Sequence, residues 1–211
     1  MTKQLHDQFA KHWLAELLQP VGGRIETQRE ISGETYRADV SVEPSPTAPG
    51  AAFQQLGLLG QMVKHACLVE YFWTPPTHPE IRTSLLKLFE VHNELYRQAN
   101  RDKTLPQKKT LHDDELPQLW ILTTSAAETL LNACGAHCQP LSWGPGVYFL
   151  AKVPKTQVVV INQLPATSET LWLRILGRGT TQRQAVTEVL ALVRAEPSYS
   201  YLLELLSRWG I

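Results

Sequence analysis

The stretch CLVEYFW, Cys67 to Trp73, decides the fold because it predicts a buried β-strand that carries one ionisable side chain. Its other residues are apolar, and most of them are β-branched or aromatic, as is typical of strands in the interior of a sheet. An unpartnered carboxylate in such a strand costs several kcal/mol or takes up a proton. We therefore expect Glu70 to be paired, to lie at the end of the strand, or to bind a ligand.

The segments on either side of this strand alternate between helical and extended patterns. An amphipathic helix followed by a hairpin is predicted before it, and further strands and helices are predicted after it. The predicted helices cover residues 3–19, 79–101, 125–135 and much of 168–210, and the predicted strands cover 24–31, 35–44, 67–73, 118–125, 146–152 and 156–165. This order predicts an α/β fold, a mixed β-sheet flanked by helices. Residues 1–165 would form the core, and residues 166–211 a helical C-terminal extension of the same domain.

The composition describes an ordered globular chain without a general affinity for nucleic acid. It has 211 residues, of which 43% are hydrophobic, and its 20 basic and 20 acidic residues give no net charge. A neutral chain argues against a broadly basic surface but permits a local basic patch. The three cysteines form no CxxC pair, the N-terminal segment carries charges throughout, and no apolar run approaches the length of a membrane span. These features predict a cytoplasmic protein without a signal peptide or a membrane helix.

Asp39 and Glu70 are candidate metal ligands. Asp39 lies in the second predicted strand and Glu70 in the third, so the two carboxylates belong to adjacent strands of one sheet. Carboxylate oxygens suit Mg²⁺ and Mn²⁺, which activate water and neutralise the charge that develops on a phosphodiester. The alternative is structural: Asp39 is a strand-edge carboxylate and Glu70 is a core residue with an ionic partner.

The order of these elements resembles the PD-(D/E)XK nuclease superfamily, and more narrowly its Rpn-type recombination-promoting nucleases and transposases of cyanobacteria. The resemblance covers most of the chain from residue 28 to residue 190. It is carried by the stretches QREISGETYRADV, LGLLGQM, CLVEYF, EIRTSLLKLFEVHNELYRQA, PQLWILTTSAAETLL, WGPGVYFL and ETLWLRILGRGTTQRQAVTEV.

The resemblance implies a restriction-endonuclease-like fold and a Mg²⁺- or Mn²⁺-dependent endonuclease that cleaves DNA, with no other small-molecule cofactor. Asp39 and Glu70 would be the metal ligands from the second and third strands. Glu16, on the first helix, would be the additional acidic residue that many members place there.

One position departs from that family pattern. The superfamily places a lysine two residues after the strand-three carboxylate, on the same face of the strand, and Phe72 occupies that position. Candidates for a replacement are Lys64, Arg82 and Lys87. We favour Lys87 because the long helix that follows the strand could bring it to the end of the sheet, although such a lysine is commonly a solvated surface residue.

Further expectations concern partners, a zinc site and alternative functions. The amphipathic tail SYSYLLELLSRWG favours a homodimer, and the arginines of ETLWLRILGRGTTQRQ favour either solvent exposure or a small basic cluster that contacts phosphate. The stretch CGAHC is too cramped for a standard zinc site. As an alternative to a nuclease, the chain would be a catalytically degenerate nuclease-fold protein that acts as a DNA-associated or protein-interaction module, or an oligomeric scaffold without a nucleic-acid role.

Overall fold

The computed structural model describes residues 3–31, 36–101, 111–139, 141–196, 199 and 201–208, and within them seven strands form one mixed sheet. The strands are β1 (Arg24–Ile31), β2 (Tyr36–Glu43), β3 (Cys67–Phe72), β4 (Gln118–Thr123), β5 (His137–Cys138), β6 (Val147–Phe149) and β7 (Thr156–Val160). Their order in the sheet is β1-β2-β3-β4-β7-β6-β5. The helices are α1 (Lys3–Leu18), α2 (Gly50–Gln55), α3 (Gly57–Met62), α4 (His78–Arg101), α5 (Glu128–Ala133), α6 (Leu171–Arg174), α7 (Thr180–Ala195) and α8 (Tyr201–Arg208). The predicted mixed sheet flanked by helices is confirmed.

The sheet is antiparallel at both ends and parallel in the middle. Strands β1, β2 and β3 pair antiparallel in succession. Strand β3 pairs parallel with β4, and β4 pairs parallel with β7, so the carboxyl ends of these three strands lie at the same edge. Strands β6 and β5 then complete the sheet with antiparallel pairing. The first helix is thus followed by three antiparallel strands, a crossover through α4 and a parallel strand.

Alternation along the central strands divides their side chains between two cores. One face of β3 contributes Val69 and Tyr71 to the larger core, which includes residues of α1, α2, α3, α6, α7 and α8. The other face contributes Leu68 to the smaller core, which includes residues of α4 and α5. Because side chains alternate with period two, Glu70 and Phe72 face the α4 side of the sheet.

A capping box sets the start of α4. The Thr77 side chain accepts a hydrogen bond from the backbone N–H of Glu80 at 3.4 Å, and the Glu80 carboxylate accepts one from the Thr77 backbone N–H at 2.7 Å. This reciprocal pattern satisfies two backbone donors at the first turn. It therefore sets the first turn of a 24-residue helix, whose packing through Ile81, Leu88 and Val91 places it against the smaller core.

Several expectations outside the central sheet need correction. Helix α5 begins at Glu128 rather than Ser125, after an extended Ala127. The CGAHC stretch supplies the short edge strand β5, which no period-two pattern signals. Arg174 is 1% exposed and makes a bidentate pair with Glu188, so the expectation that it faces solvent was wrong.

The C-terminal tail does not leave its apolar face open. Leu202, Leu205 and Leu206 of α8 are buried in the larger core of this same chain. The observation that favoured a homodimer is thereby accounted for within one chain, and the dimer stays a prediction.

Over the described part of the chain, none of the helices combines the length and the hydropathy that crossing a membrane requires.

Candidate active site

The candidate site lies where β2 and β3 separate. Their backbone pairing runs from Val42–Cys67 to Val40–Val69 and ends there. Asp39 and Glu70 occupy the next position on each strand, just beyond the last backbone pair. The Asp39 backbone N–H points to Glu70 Oε1 at a long 3.4 Å.

Beyond the last backbone pair, the Asp39 carboxylate of β2 accepts a backbone hydrogen bond from β3, in place of a backbone carbonyl. Its Oδ2 accepts a hydrogen bond from the backbone N–H of Tyr71 at 3.0 Å. Its Oδ1 lies 2.8 Å from Nζ of Lys11, which reaches it from α1. Both carboxylate oxygens are therefore held, and the rotamer of Asp39 is fixed from two directions.

An irregularity in β1 faces Asp39. The hairpin register pairs Thr27 with Val40 and Arg29 with Ala38, and it omits the intervening position of Gln28 and Asp39. Gln28 has φ 58°, in the left-handed region that side chains other than glycine rarely adopt. On β2, Ala38 and Val40 are two residues apart and would share one face of a regular strand. Instead, Ala38 belongs to the smaller core and Val40 to the larger one. The regular alternation of β2 is therefore interrupted at the residue that carries the carboxylate.

Glu70 is held from the opposite face of the sheet. Its Oε2 lies 2.7 Å from Nζ of Lys87 on α4. The side chains of Glu70 and Lys87 are 4% and 13% exposed, and those of Lys11 and Asp39 are 14% and 18% exposed. The site is thus a cluster of two carboxylates and two ammonium groups, nearly withdrawn from water. We refer to Lys11, Asp39, Glu70 and Lys87 as the four-charge cluster.

The ion pair with Lys87 does not fully offset the cost of burying Glu70. The pKa of Glu70 is raised to about 7, from an ordinary value of 4.5, and burial is the largest cause. The neighbouring charge of Asp39 contributes to this rise, whereas Lys87 opposes it. A carboxyl group with a pKa near neutrality, beside a second carboxylate, is typical of functional sites, although structural ion-pair networks produce the same shift.

A cleft between β3 and α4 gives access to this side of the site. Its volume is about 270 Å³, and residues from the end of β3 and the first three turns of α4 line it. The lining residues are Glu70, Phe72, Pro79, Glu80, Thr83, Ser84 and Lys87. Phe72, at the position of the expected lysine, therefore shares the cleft with the carboxylate two residues before it.

Not all of the sequence candidates come together. Glu16 is exposed on α1, about 140° around the helix from Lys11, and is close enough to Tyr201 to help raise that phenol's pKa. Over the described residues there is no group of three acidic, histidine or cysteine side chains that could hold a metal ion. Glu16 is thus not gathered with the carboxylate pair.

Of the three candidate cations, only Lys87 contacts a site carboxylate in the described contacts. Lys64 is exposed and precedes the start of β3, where it lines a separate cavity of about 840 Å³ at the other end of the strand. Arg82 is exposed on α4 and does not line the cleft. The lysine that sequence reasoning favoured is the one whose ammonium group meets Glu70.

Sequence reasoning missed Lys11. A signal for it exists in the spacing of α1, because Lys11 lies three residues before Leu14 and seven before Leu18, and both leucines are fully buried. Side chains three, four and seven residues apart share one helix face. A lysine on the buried stripe of an amphipathic helix needs a counter-ion, and Asp39 supplies it.

An aromatic and cationic cluster lies close by on the α1 side of the sheet. The ring of His6 stacks on Trp73 with centroids 3.5 Å apart, and the guanidinium of Arg178 lies 4.7 Å from the Trp73 ring centroid. Burial, followed by nearby positive charges that include Arg178, lowers the pKa of His6. The Tyr71 hydroxyl donates a hydrogen bond to the Leu176 carbonyl at 2.8 Å, which attaches the loop before Arg178 to β3.

The class of protein that this fold and site define is a mixed α/β protein with two carboxylates, the buried Glu70 and the partly buried Asp39, at the point where two strands separate. A comparison of the chain with family models, with curated proteins and with solved structures found no match in any of the three.

Proposed function

We propose that the protein is a Mg²⁺- or Mn²⁺-dependent endonuclease that hydrolyses a phosphodiester bond of DNA at the Asp39–Glu70 pair. The observation that carries this proposal is that Asp39 and Glu70 flank the point where β2 and β3 separate, where each carboxylate accepts a hydrogen bond from the backbone of the other strand, and that Glu70 lines a cleft. The order of α1, β1, β2, β3, α4 and β4 and the pairing of these strands also agree with the restriction-endonuclease-like fold of the PD-(D/E)XK superfamily that the sequence resembles.

The donor set fits a hard divalent cation. Mg²⁺ is commonly held by one or two carboxylates together with water and substrate phosphates. A carboxylate has about four lone-pair sites, so an oxygen that already accepts a hydrogen bond retains capacity for a metal. Asp39 and Glu70 would hold the ion, which when bound would supply an activated water and neutralise phosphate charge.

The other groups of the site have roles that follow from their positions. The Tyr71 N–H and Lys11 orient the Asp39 carboxylate. Lys87 presents an ammonium group at the wall of the cleft, beside Glu70. There it could stabilise negative charge that develops on a phosphate.

A cleavage assay with matched variants tests the proposal. Supercoiled plasmid is incubated with the wild type and with Asp39→Asn, Glu70→Gln and Lys64→Met, in Mg²⁺, Mn²⁺ or a chelator. We expect metal-dependent nicking by the wild type and by Lys64→Met, because Lys64 lies far from the site, and its loss in the two carboxylate variants. Melting curves of all four proteins establish that the variants are folded. Equal cleavage by folded Asp39→Asn and Glu70→Gln would refute the assignment.

One observation favours the second candidate function, a nuclease-fold protein that binds DNA or another protein without cleaving it. Each carboxylate already has an ammonium counter-ion, and Phe72 occupies the position of the family lysine. In that case the wild type shows no metal-dependent cleavage. Salt-dependent binding to DNA would then distinguish a DNA-associated module from a scaffold without phosphate contacts.

A further inference from the structure

The four-charge cluster is electrically balanced when both of its carboxyl groups are ionised. Asp39 and Glu70 contribute two negative charges, and Lys11 and Lys87 contribute two positive charges at 2.8 and 2.7 Å. The lysines come from opposite faces of the sheet, so each carboxylate has its own counter-ion. Neighbouring charges change this balance little. Asp7 and Arg178, which both act on the Tyr71 phenol, have opposite signs, and Glu80 accepts hydrogen bonds at the N-terminus of α4, where the helix dipole favours a negative charge.

A divalent cation alone would upset this balance. Its binding between Asp39 and Glu70 would give the cluster two excess positive charges in a place where water reaches little of any of the four side chains. Uncompensated charge in such surroundings is strongly unfavourable. The two ammonium groups would also lose carboxylate oxygens to the cation and would have no replacement acceptor.

A phosphate group removes both difficulties. It brings negative charge, and its oxygens accept charge-assisted hydrogen bonds from ammonium groups. Lys87 lines the cleft through which a phosphate would approach. Lys87 can therefore turn from Glu70 to the phosphate as the cation takes up carboxylate oxygens, whereas Lys11, on the other face of the sheet, acts through its charge.

We propose that Lys11 and Lys87 make the carboxylate pair bind a divalent cation cooperatively with a phosphate group, so that the cation is held weakly until a phosphodiester is present. This inference rests on the proposed function, since it assumes that Asp39 and Glu70 bind a cation. By thermodynamic linkage, the phosphate binds more tightly in the presence of the cation by the same factor.

Calorimetric titration with Mn²⁺ measures this coupling without any reading of activity. The protein is titrated alone, with inorganic phosphate, and with a short DNA duplex, and the same titrations of an Asp39→Asn, Glu70→Gln double variant correct for Mn²⁺ that binds to the DNA. We expect the affinity for Mn²⁺ to rise by about tenfold or more with DNA, within the usual range of coupling between two ligands. An equal rise with inorganic phosphate would identify the anion itself as the partner, whereas a rise with DNA alone would identify the polymer.

Variants of the lysines test their part in the coupling. Lys11→Met and Lys87→Met each leave one carboxylate without its counter-ion. We expect both to bind Mn²⁺ more tightly than the wild type in the absence of DNA, and to gain less from its addition. Lys64→Met, an exposed lysine at the other end of β3, should behave like the wild type. If one of the two variants does not fold, the other gives the same reading.

The possible failures are distinguishable. If Mn²⁺ binds to the wild type with the same affinity with and without phosphate or DNA, the inference is overturned and the proposed function stands. If Mn²⁺ binds under none of these conditions, both the inference and the metal-dependent nuclease are overturned. Unchanged coupling in both folded lysine variants would show that Lys11 and Lys87 are not its cause.

Discussion

Replacing Glu70 by glutamine should make the stability of the protein less sensitive to pH. Burial raises the pKa of Glu70 to about 7 in the folded protein, from 4.5, so the folded state binds this proton more tightly than the unfolded state does. Protonation therefore favours folding, and the free energy of unfolding falls as the pH rises from 4.5 through 7. Glutamine keeps the shape of the side chain but does not titrate.

The size of the effect follows from the difference in pKa. The folded and unfolded values of 7 and 4.5 differ by about 2.5 units, which at 1.36 kcal/mol per unit corresponds to about 3 kcal/mol over the whole pH window. Part of that range lies below pH 5, so we expect the wild type to lose about 2 kcal/mol more than Glu70→Gln between about pH 5 and pH 8. The variant also leaves Lys87 without its partner, which adds an offset that does not depend on the ionisation of Glu70.

Urea unfolding followed by tryptophan fluorescence measures this difference, because several tryptophans lie in the core. Both proteins are unfolded at a series of pH values, and the difference in free energy of unfolding is plotted against pH. We expect this difference to shift in favour of the variant as the pH rises from 5 to 8, by about 2 kcal/mol in total. A difference that stays constant over this range would refute the reasoning, since it would show that Glu70 does not titrate there in the folded state.

Three further predictions concern other parts of the molecule. Phe72→Lys places a lysine in the cleft beside Glu70. We expect this variant to raise the rate of Mg²⁺-dependent plasmid nicking by at least about tenfold. An unchanged rate in a folded variant would contradict the geometry assigned to this position. Arg174→Met removes the buried half of a bidentate pair with the partly exposed Glu188, and it should lower the free energy of unfolding by about 1.5–3 kcal/mol, against less than about 0.5 kcal/mol for the exposed Arg183→Met. Equal losses in urea unfolding would show that the pair is not stabilising. Burial raises the pKa of the Cys67 thiol to about 12. A disulfide reagent should therefore label the exposed Cys138 in the native protein and Cys67 only after unfolding. Rapid labelling of Cys67 in the native protein would contradict its burial.

The central part of the fold could be predicted from the sequence because its signals are local. The period-two pattern of the hairpin, the apolar run of CLVEYFW and the apolar stripe that begins after Pro79 each specify an element without reference to the rest of the chain. Strand β5 could not be predicted in this way. It has two residues, His137 and Cys138, and it exists because β6 offers an unpaired edge.

The site was predictable in part for the same reason. A carboxylate in an apolar strand requires a partner, and this requirement alone singles out Glu70 among the acidic residues of the chain. Which partner it finds depends on the packing of α4, and so Lys87 was one candidate among three. The contact of Lys11 with Asp39 and the exposed position of Glu16 both depend on how α1 is rotated against the sheet. A helical pattern in the sequence determines this rotation only within one or two positions.

Metal-dependent cleavage of plasmid DNA by the wild type and by Asp39→Asn tests the central claim most directly. Asp39→Asn keeps the size of the side chain and an oxygen that can accept the Tyr71 hydrogen bond, but it removes the charge that a divalent cation requires. We predict nicking by the wild type that depends on Mg²⁺ or Mn²⁺ and is lost in the folded variant. Cleavage that persists in Asp39→Asn, or a wild type that cleaves no DNA with either metal, would contradict the account.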